Sequence, residues 1–349
     1  MNESIGCAVF GRWRLLDERS RTLRRGLFCV RRRRAFSCKM IRTYEEALAR
    51  SFHNVGVRLE EGVCRSMTAR DFLCITKPGL VGSGVATTAG AFCMGSPDMF
   101  RWLAFFAVVL GMAAVAAASC VISSYFCCGI DTSKSRIVWR RSRVIPLPVA
   151  AWYATALYAV GFVLLIWQVN IWAAVLGAVG ALLYTMAYGY VKRRSHWGTF
   201  VGALSGATLP LAGYVAATGQ FDAGAWLVFT AMFAWQMPHF YAIGIFRREE
   251  YRAAHIPVLP SVRGLPRVVW EMRAYGLLFV VTCYLLAHLG YAGFMFGLAM
   301  IALGLYWLQP MFSPSWRAQT EDIARLVFQR SLCALGGFSF FLTMSHVLL

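Results

Sequence analysis

Residues 235–264 read WQMPHFYAIGIFRREEYRAAHIPVLPSVRG. The stretch begins inside an apolar run that reaches back to about residue 224 and stops at Arg247 and Arg248. A run of roughly 20 mostly apolar residues is what a helix needs to cross a bilayer. Pro238 lies within it and frees a backbone carbonyl, which a membrane helix tolerates when neighbours re-satisfy that group. His239 follows in the apolar part. Such a His is either a hydrogen-bonding partner of a neighbouring helix, a ligand for a metal-bearing molecule, or a base. Beyond the span come Glu249 and Glu250, then His255 and the two prolines of IPVLP, which predict a rigid loop over the end of the helix.

The rest of the chain repeats this grammar. Of its 349 residues, 58% are hydrophobic, and the mean hydropathy is +0.56. That is too apolar for an ordinary soluble domain. Nine apolar runs stand out, at about 77–95, 102–124, 146–166, 169–190, 198–217, 224–246, 273–290, 292–309 and 332–349. They predict an all-α polytopic membrane protein of about nine transmembrane helices. Small residues, as in GVATTAGAF and GALSGATLPLAGY, suit closely packed membrane helices. With the first run leading outward, the loops expected inside carry 17 Lys/Arg and those expected outside carry only Arg101. Lys/Arg excess marks the cytoplasmic side, so the predicted topology is N-in and C-out. The net charge of +19 is then accounted for by orientation and by anionic lipid, without nucleic acid.

Eleven cysteines are scattered without a CxxC pair, which argues against a disulfide framework. Residues 1–66 differ from the rest, with 15 Lys/Arg, 7 Asp/Glu and no long apolar run. They read as a basic, poorly ordered N-terminal extension, as an Arg-rich targeting peptide, or as an over-extended start ahead of Met67. The predicted membrane domain is 67–349.

Acids are scarce in that domain: Asp71, Asp98, Asp131, Asp222, Glu249, Glu250, Glu271, Glu321 and Asp322. Asp131, Glu249 and Glu250 fall at inner ends of spans, beside Lys134, Arg136, Arg140, Arg141, Arg143, Arg247 and Arg248. Lys192, Arg193 and Arg194 come from a third inner loop. Acids and bases on one face suit a divalent cation bridging carboxylates to a phosphorylated ligand, with Arg and Lys on the phosphate oxygens. An apolar bundle beneath them suits a diphosphate with a hydrocarbon tail. In SSYFCCGID, residues 123–131, the positions Ser123, Cys127 and Asp131 are spaced i, i+4 and i+8 on one helical face. That stretch is a thiol metal pair, a carboxylate cation site, or the remnant of one.

Residues 184–264 resemble the protohaem IX farnesyltransferases (haem O synthases), a branch of the UbiA-type membrane prenyltransferases. WQMPHFYAI, REEY and IPVLP carry the likeness; TKPG at 76–79 and ARLVFQRS at 324–331 extend it. It implies a nine-helix UbiA-type bundle, and a reaction that joins the farnesyl group of farnesyl diphosphate to a vinyl group of haem b. Water addition would give the hydroxyethylfarnesyl chain of haem O. It also implies Mg²⁺ and haem b as substrate, a bacterial inner membrane or alternatively a mitochondrial one, and a haem-copper oxidase assembly or haem A synthase as partners. By motif matching, Asp131, Glu250 and His239 become catalytic positions. Asp131, Glu249 and Glu250 become metal positions. Lys192, Arg193 and Arg247 become diphosphate positions, with Arg140 and Arg143 as alternative registers of one more. His239 also becomes a haem contact.

The family's first motif, Asn-x-x-x-Asp-x-x-x-Asp, falls on Ser123, Cys127 and Asp131, so only its last acid remains. Serine is a poorer Mg²⁺ ligand than asparagine, and cysteine is soft where Mg²⁺ takes hard oxygen. Three readings follow: an active haem b farnesyltransferase, a prenyltransferase with another aromatic acceptor, or an impaired homologue that only binds haem or an oxidase partner.

Overall fold

The computed structural model describes residues 67–96, 100–126 and 145–348. The basic extension 1–66 lies outside the described residues, as do Asp98, Cys127, Asp131, Arg140 and Arg143.

Helix α1 (Ala69–Ile75) opens on a capping box, in which Asp71 accepts from the Thr68 backbone N–H at 3.0 Å and from the Thr68 hydroxyl at 2.6 Å. Lys77 then turns the chain in a left-handed conformation, φ 54°, and Pro78 starts α2 (Pro78–Met94). There follow α3 (Trp102–Phe126) and α4 (Leu147–Gln168). Helix α5 (Ile171–Leu182) runs on through a π-helical turn, Leu183–Tyr188, to Val191. Asn170 caps its start by accepting from the Ala173 N–H at 2.8 Å. Helix α6 (Gly198–Thr218) ends at Gly219, φ 71°, and Asp222 caps α7 (Ala223–Phe246) through the Ala225 N–H at 3.0 Å. Two short helices, α8 (Arg248–Ala253) and α9 (Leu259–Val262), lead into α10 (Leu265–His288), α11 (Phe294–Leu308) and α12 (Thr320–Leu348).

Nine of these helical segments have 15 residues or more among the described residues, and they lie where the apolar runs are. Seven are long and apolar enough to cross a membrane. Helix α2 falls short on length, and α7 on hydropathy, since Gln236, Pro238 and His239 interrupt it. Two boundaries differ from the sequence reading. Residues 265–272 and 320–331, expected in inner loops, are helical. Both segments are amphipathic: Val268, Met272, Ala324 and Val327 are buried, while Arg267, Glu321, Asp322 and Arg325 are exposed. Helical pattern therefore continues past the point where the run stops being uniformly apolar.

Helices α2, α6, α7 and α12 form a central square, each packed on two of the others. Helices α3, α4 and α5 wrap one side of it, and α10 and α11 the other. Gly213 makes the close approach of α6 to α2 possible, because a methyl group there would run into the Thr88 carbonyl oxygen. The Thr88 hydroxyl donates to the Leu209 carbonyl at 3.1 Å across the same seam. The outer faces are apolar and exposed, as at Trp152, Val163, Ile166 and Trp167 of α4. That is the surface a helical bundle presents to lipid. Alternation of the helices brings Lys77, Ser123, Lys192, Arg247 and Arg263 to one end of the bundle.

Candidate functional site

At that basic end, five elements supply one connected set of polar side chains. Ser123, at the end of α3, is 2% exposed. Tyr184, in the π-turn of α5, lies against Ser123 and Cys120. The Lys77 ammonium stands 5.9 Å from the Tyr184 ring centre, and its charge reaches Cys120. The i→i+5 bonding of a π-turn widens the helix and brings side chains four apart nearly into line. Tyr184 and Tyr188 accordingly stack, with centres 5.6 Å apart and planes at 22°. Lys192 continues the column, its ammonium 5.2 Å from the Tyr188 ring centre.

The end of α7 closes the set. The Arg247 guanidinium stands 3.9 Å from the Glu250 carboxylate, which is half-buried. Tyr251 of α8 feels the charges of Lys192, Arg247 and Glu250, and burial pushes its phenol up from the ordinary tyrosine value. A cavity of about 150 Å³ lies here, lined by Tyr188, Lys192, Tyr251 and the loop Ile256–Pro257–Val258. His255, held at φ 52°, turns the chain into that loop.

The structure thus brings together Ser123, Lys192, Arg247 and Glu250, which the sequence singles out. Glu249 is exposed on the other side of α8, and Arg193 is exposed beyond Lys192. Lys77, Tyr184, Tyr188 and Tyr251 join the cluster without having been expected there. Lys77 had a signal in the TKPG motif and Tyr251 in REEY; Tyr184 and Tyr188 had none in the hydropathy, on which a π-turn leaves no mark.

His239 lies on the face of α7 turned to α12. Its Nδ1 is 2.7 Å from the Ser331 hydroxyl oxygen, and that hydroxyl donates to the Phe328 carbonyl at 2.6 Å. With the hydroxyl proton directed to that carbonyl, Nδ1–H is placed to donate to the hydroxyl oxygen. The imidazole is stacked between Trp235, 4.8 Å away, and Phe328, 4.9 Å away. His239 is thus tied to a neighbouring helix by a hydrogen bond. Phe328 also packs on Phe246, which carries Arg247 and Arg325 over its ring at 5.9 and 5.4 Å. An aromatic column so links His239 to the basic end. Three further aromatic side chains are held by hydrogen bonds. The Tyr125 hydroxyl donates to the Ile145 carbonyl, Trp235 N–H to the Ser331 carbonyl, and Tyr241 to Glu271.

No group of three or more His, Cys, Asp or Glu stands together among the described residues. Glu250 offers one hard oxygen donor beside Arg247, with Lys192 across Tyr251. That fits a Mg²⁺ ion, which binds through one or two carboxylates and completes its shell with substrate phosphates.

A polytopic helical bundle with a cationic, tyrosine-lined pocket at one end of an apolar interior defines a class. Residues 84–333 match the model of the UbiA prenyltransferase family. The chain belongs to that family and is a membrane prenyltransferase. Among its relatives is the protoheme IX farnesyltransferase of Aeromonas salmonicida, 36% identical over 272 residues, covering 76% of this chain and 92% of that one. The protoheme IX farnesyltransferase of Photorhabdus laumondii is 35% identical over 287 residues, covering 80% and 96%. The fold is also that of a UbiA homologue from Archaeoglobus fulgidus solved with DMAPP and Mg²⁺, with TM-score 0.56, 14% identity, and coverage of 76% and 99%. A digeranylgeranylglyceryl phosphate synthase aligns with TM-score 0.67, 17% identity, and coverage of 80% and 99%.

Proposed function

We propose that the protein transfers the farnesyl group of farnesyl diphosphate to a vinyl group of haem b, and that water addition completes the hydroxyethylfarnesyl chain of haem O. The observation that carries the reading is the convergence of Lys77, Lys192 and Arg247 with Glu250 at the mouth of an apolar bundle. Full-length relatives bearing the name protoheme IX farnesyltransferase support the choice of acceptor.

Breaking the allylic C–O bond sends its electron pair to diphosphate, so negative charge grows on the leaving group. Lys77, Lys192 and Arg247 stabilise that charge, and the Tyr251 phenol donates to a phosphate oxygen. Mg²⁺, held by Glu250 with Asp131, would add further neutralisation of the diphosphate. The vinyl group's electron pair forms the new C–C bond, and water takes the porphyrin-side cation with release of a proton. The apolar helices keep water from the allylic cation until attack. His239 faces the haem. The enzyme works in a bacterial inner membrane and passes its product to haem A synthase or to an assembling haem-copper oxidase.

Membranes containing the full chain, supplied with haem b, farnesyl diphosphate and Mg²⁺, are expected to yield haem O by liquid chromatography and mass spectrometry. Absence of product under these conditions sinks the proposal, provided a Ser123→Asn, Cys127→Asp double variant is equally inactive. A product formed only by that variant identifies a farnesyltransferase impaired at its first motif.

A further inference from the structure

On the side of α7 opposite His239 lies a second cavity, of about 480 Å³, which adjoins the first along His196, Tyr241 and Leu259 but is lined by none of the residues assigned to the diphosphate. It opens between the first turns of α6 and α10 and is lined by His196, Trp197, Phe200, Tyr241, Leu259, Arg263, Arg267 and Glu271. Its size lies within the range of about 300–1,000 Å³ usual for small-molecule sites.

The charges in it are arranged for an anion. Glu271 is already neutralised: one oxygen accepts from the Arg267 Nε–H at 2.8 Å and the other from the Tyr241 hydroxyl at 2.7 Å. This fixes Arg267, whose guanidinium also lies 5.0 Å from the Trp270 ring centre. Arg263 is exposed and has no acidic partner among the described residues. The cavity thus keeps a net positive charge, with the His196 ring as a further polar group. Its rim is apolar and points outward. Trp197 and Trp270 are each 58% exposed, as indole rings at a membrane interface are. Leu277, Leu278 and Val281 continue the exposed apolar surface along α10.

We propose that this cavity binds a phosphate group, that of an anionic membrane lipid, with Arg263 and Arg267 on the phosphate oxygens and the acyl chains along α10. Guanidinium groups suit phosphate oxygens, and the anionic leaflet supplies such headgroups at this depth.

The test is native mass spectrometry of the full chain released from nanodiscs of equal parts dioleoylphosphatidylglycerol and dioleoylphosphatidylcholine. The wild type is expected to retain phosphatidylglycerol in preference to phosphatidylcholine. Arg263→Gln should lower that retention about tenfold, the weight of one charge-assisted contact, and Arg263→Lys should keep most of it. An unchanged thermal midpoint of Arg263→Gln in detergent shows that the variant is folded. Inorganic phosphate alone is the second arm. If it raises the midpoint of the wild type but not of Arg263→Gln, with no lipid preference, the phosphate chemistry stands and the source is soluble. Equal phosphatidylglycerol retention by wild type and Arg263→Gln, without a phosphate effect, overturns the site. So does an Arg263→Gln variant that loses haem b binding while keeping the lipid.

Discussion

Lys77 carries two features that a surface lysine does not combine. Its backbone is left-handed, φ 54°, and its ammonium faces Tyr184 at the buried end of the first motif. A non-glycine residue held in that region costs about 1 kcal/mol or more, and such strain gathers at functional sites. Lys77→Gly relieves the strain and removes the charge together, so the fold should hold while diphosphate binding suffers. Its KM for farnesyl diphosphate is expected to rise about tenfold, with Lys77→Arg restoring most of it. His239→Ala should show the opposite pattern, with haem b use falling at least as steeply and farnesyl diphosphate binding kept. Steady-state kinetics with each substrate varied reads both variants. Equal loss of both substrates in His239→Ala would return that residue to a structural tie with Ser331.

At the scale of elements, the seam between α2 and α6 is the contact most dependent on one residue. Val at Gly213 would drive its side chain into the Thr88 backbone of α2. Overpacking of this kind costs about 1–3 kcal/mol. Gly213→Val is expected to lower the thermal midpoint in detergent, whereas Gly189→Ala, where an added methyl group meets nothing within 4 Å, should leave it unchanged. The π-turn of α5 is an element of another kind. It aligns Tyr184 with Tyr188 and so joins the first motif to Lys192. YTMAYGY reads from sequence as an unbroken apolar helix, since propensity and period do not separate an α-turn from a π-turn. The helical starts of α10 and α12 were obscured for a related reason. Their charges hid a buried face that only the neighbouring helices make evident.

For the whole molecule, the charge pattern has a direct consequence. With Lys/Arg concentrated at the end that bears Lys192, Arg247 and Arg263, that end should face the cytoplasm. Cysteine labelling at residue 196 from the inside and at residue 220 from the outside, in otherwise cysteine-free protein, is expected to be exclusive to those sides. The reverse pattern would invert the topology.

The sequence alone settled the class, because long apolar runs have no stable home in water and the lengths and periods of membrane helices are written in local composition. Matching to the family's motifs also singled out Ser123, Lys192, Arg247 and Glu250, which the order of the helices brings to one end of the bundle. Tertiary structure decided what no local pattern encodes: which of Glu249 and Glu250 turns inward, that Lys77 and three tyrosines join the cluster, and that His239 is held by Ser331. Each of these depends on groups brought together from helices distant in the chain, as His239 and Ser331 are, 92 residues apart.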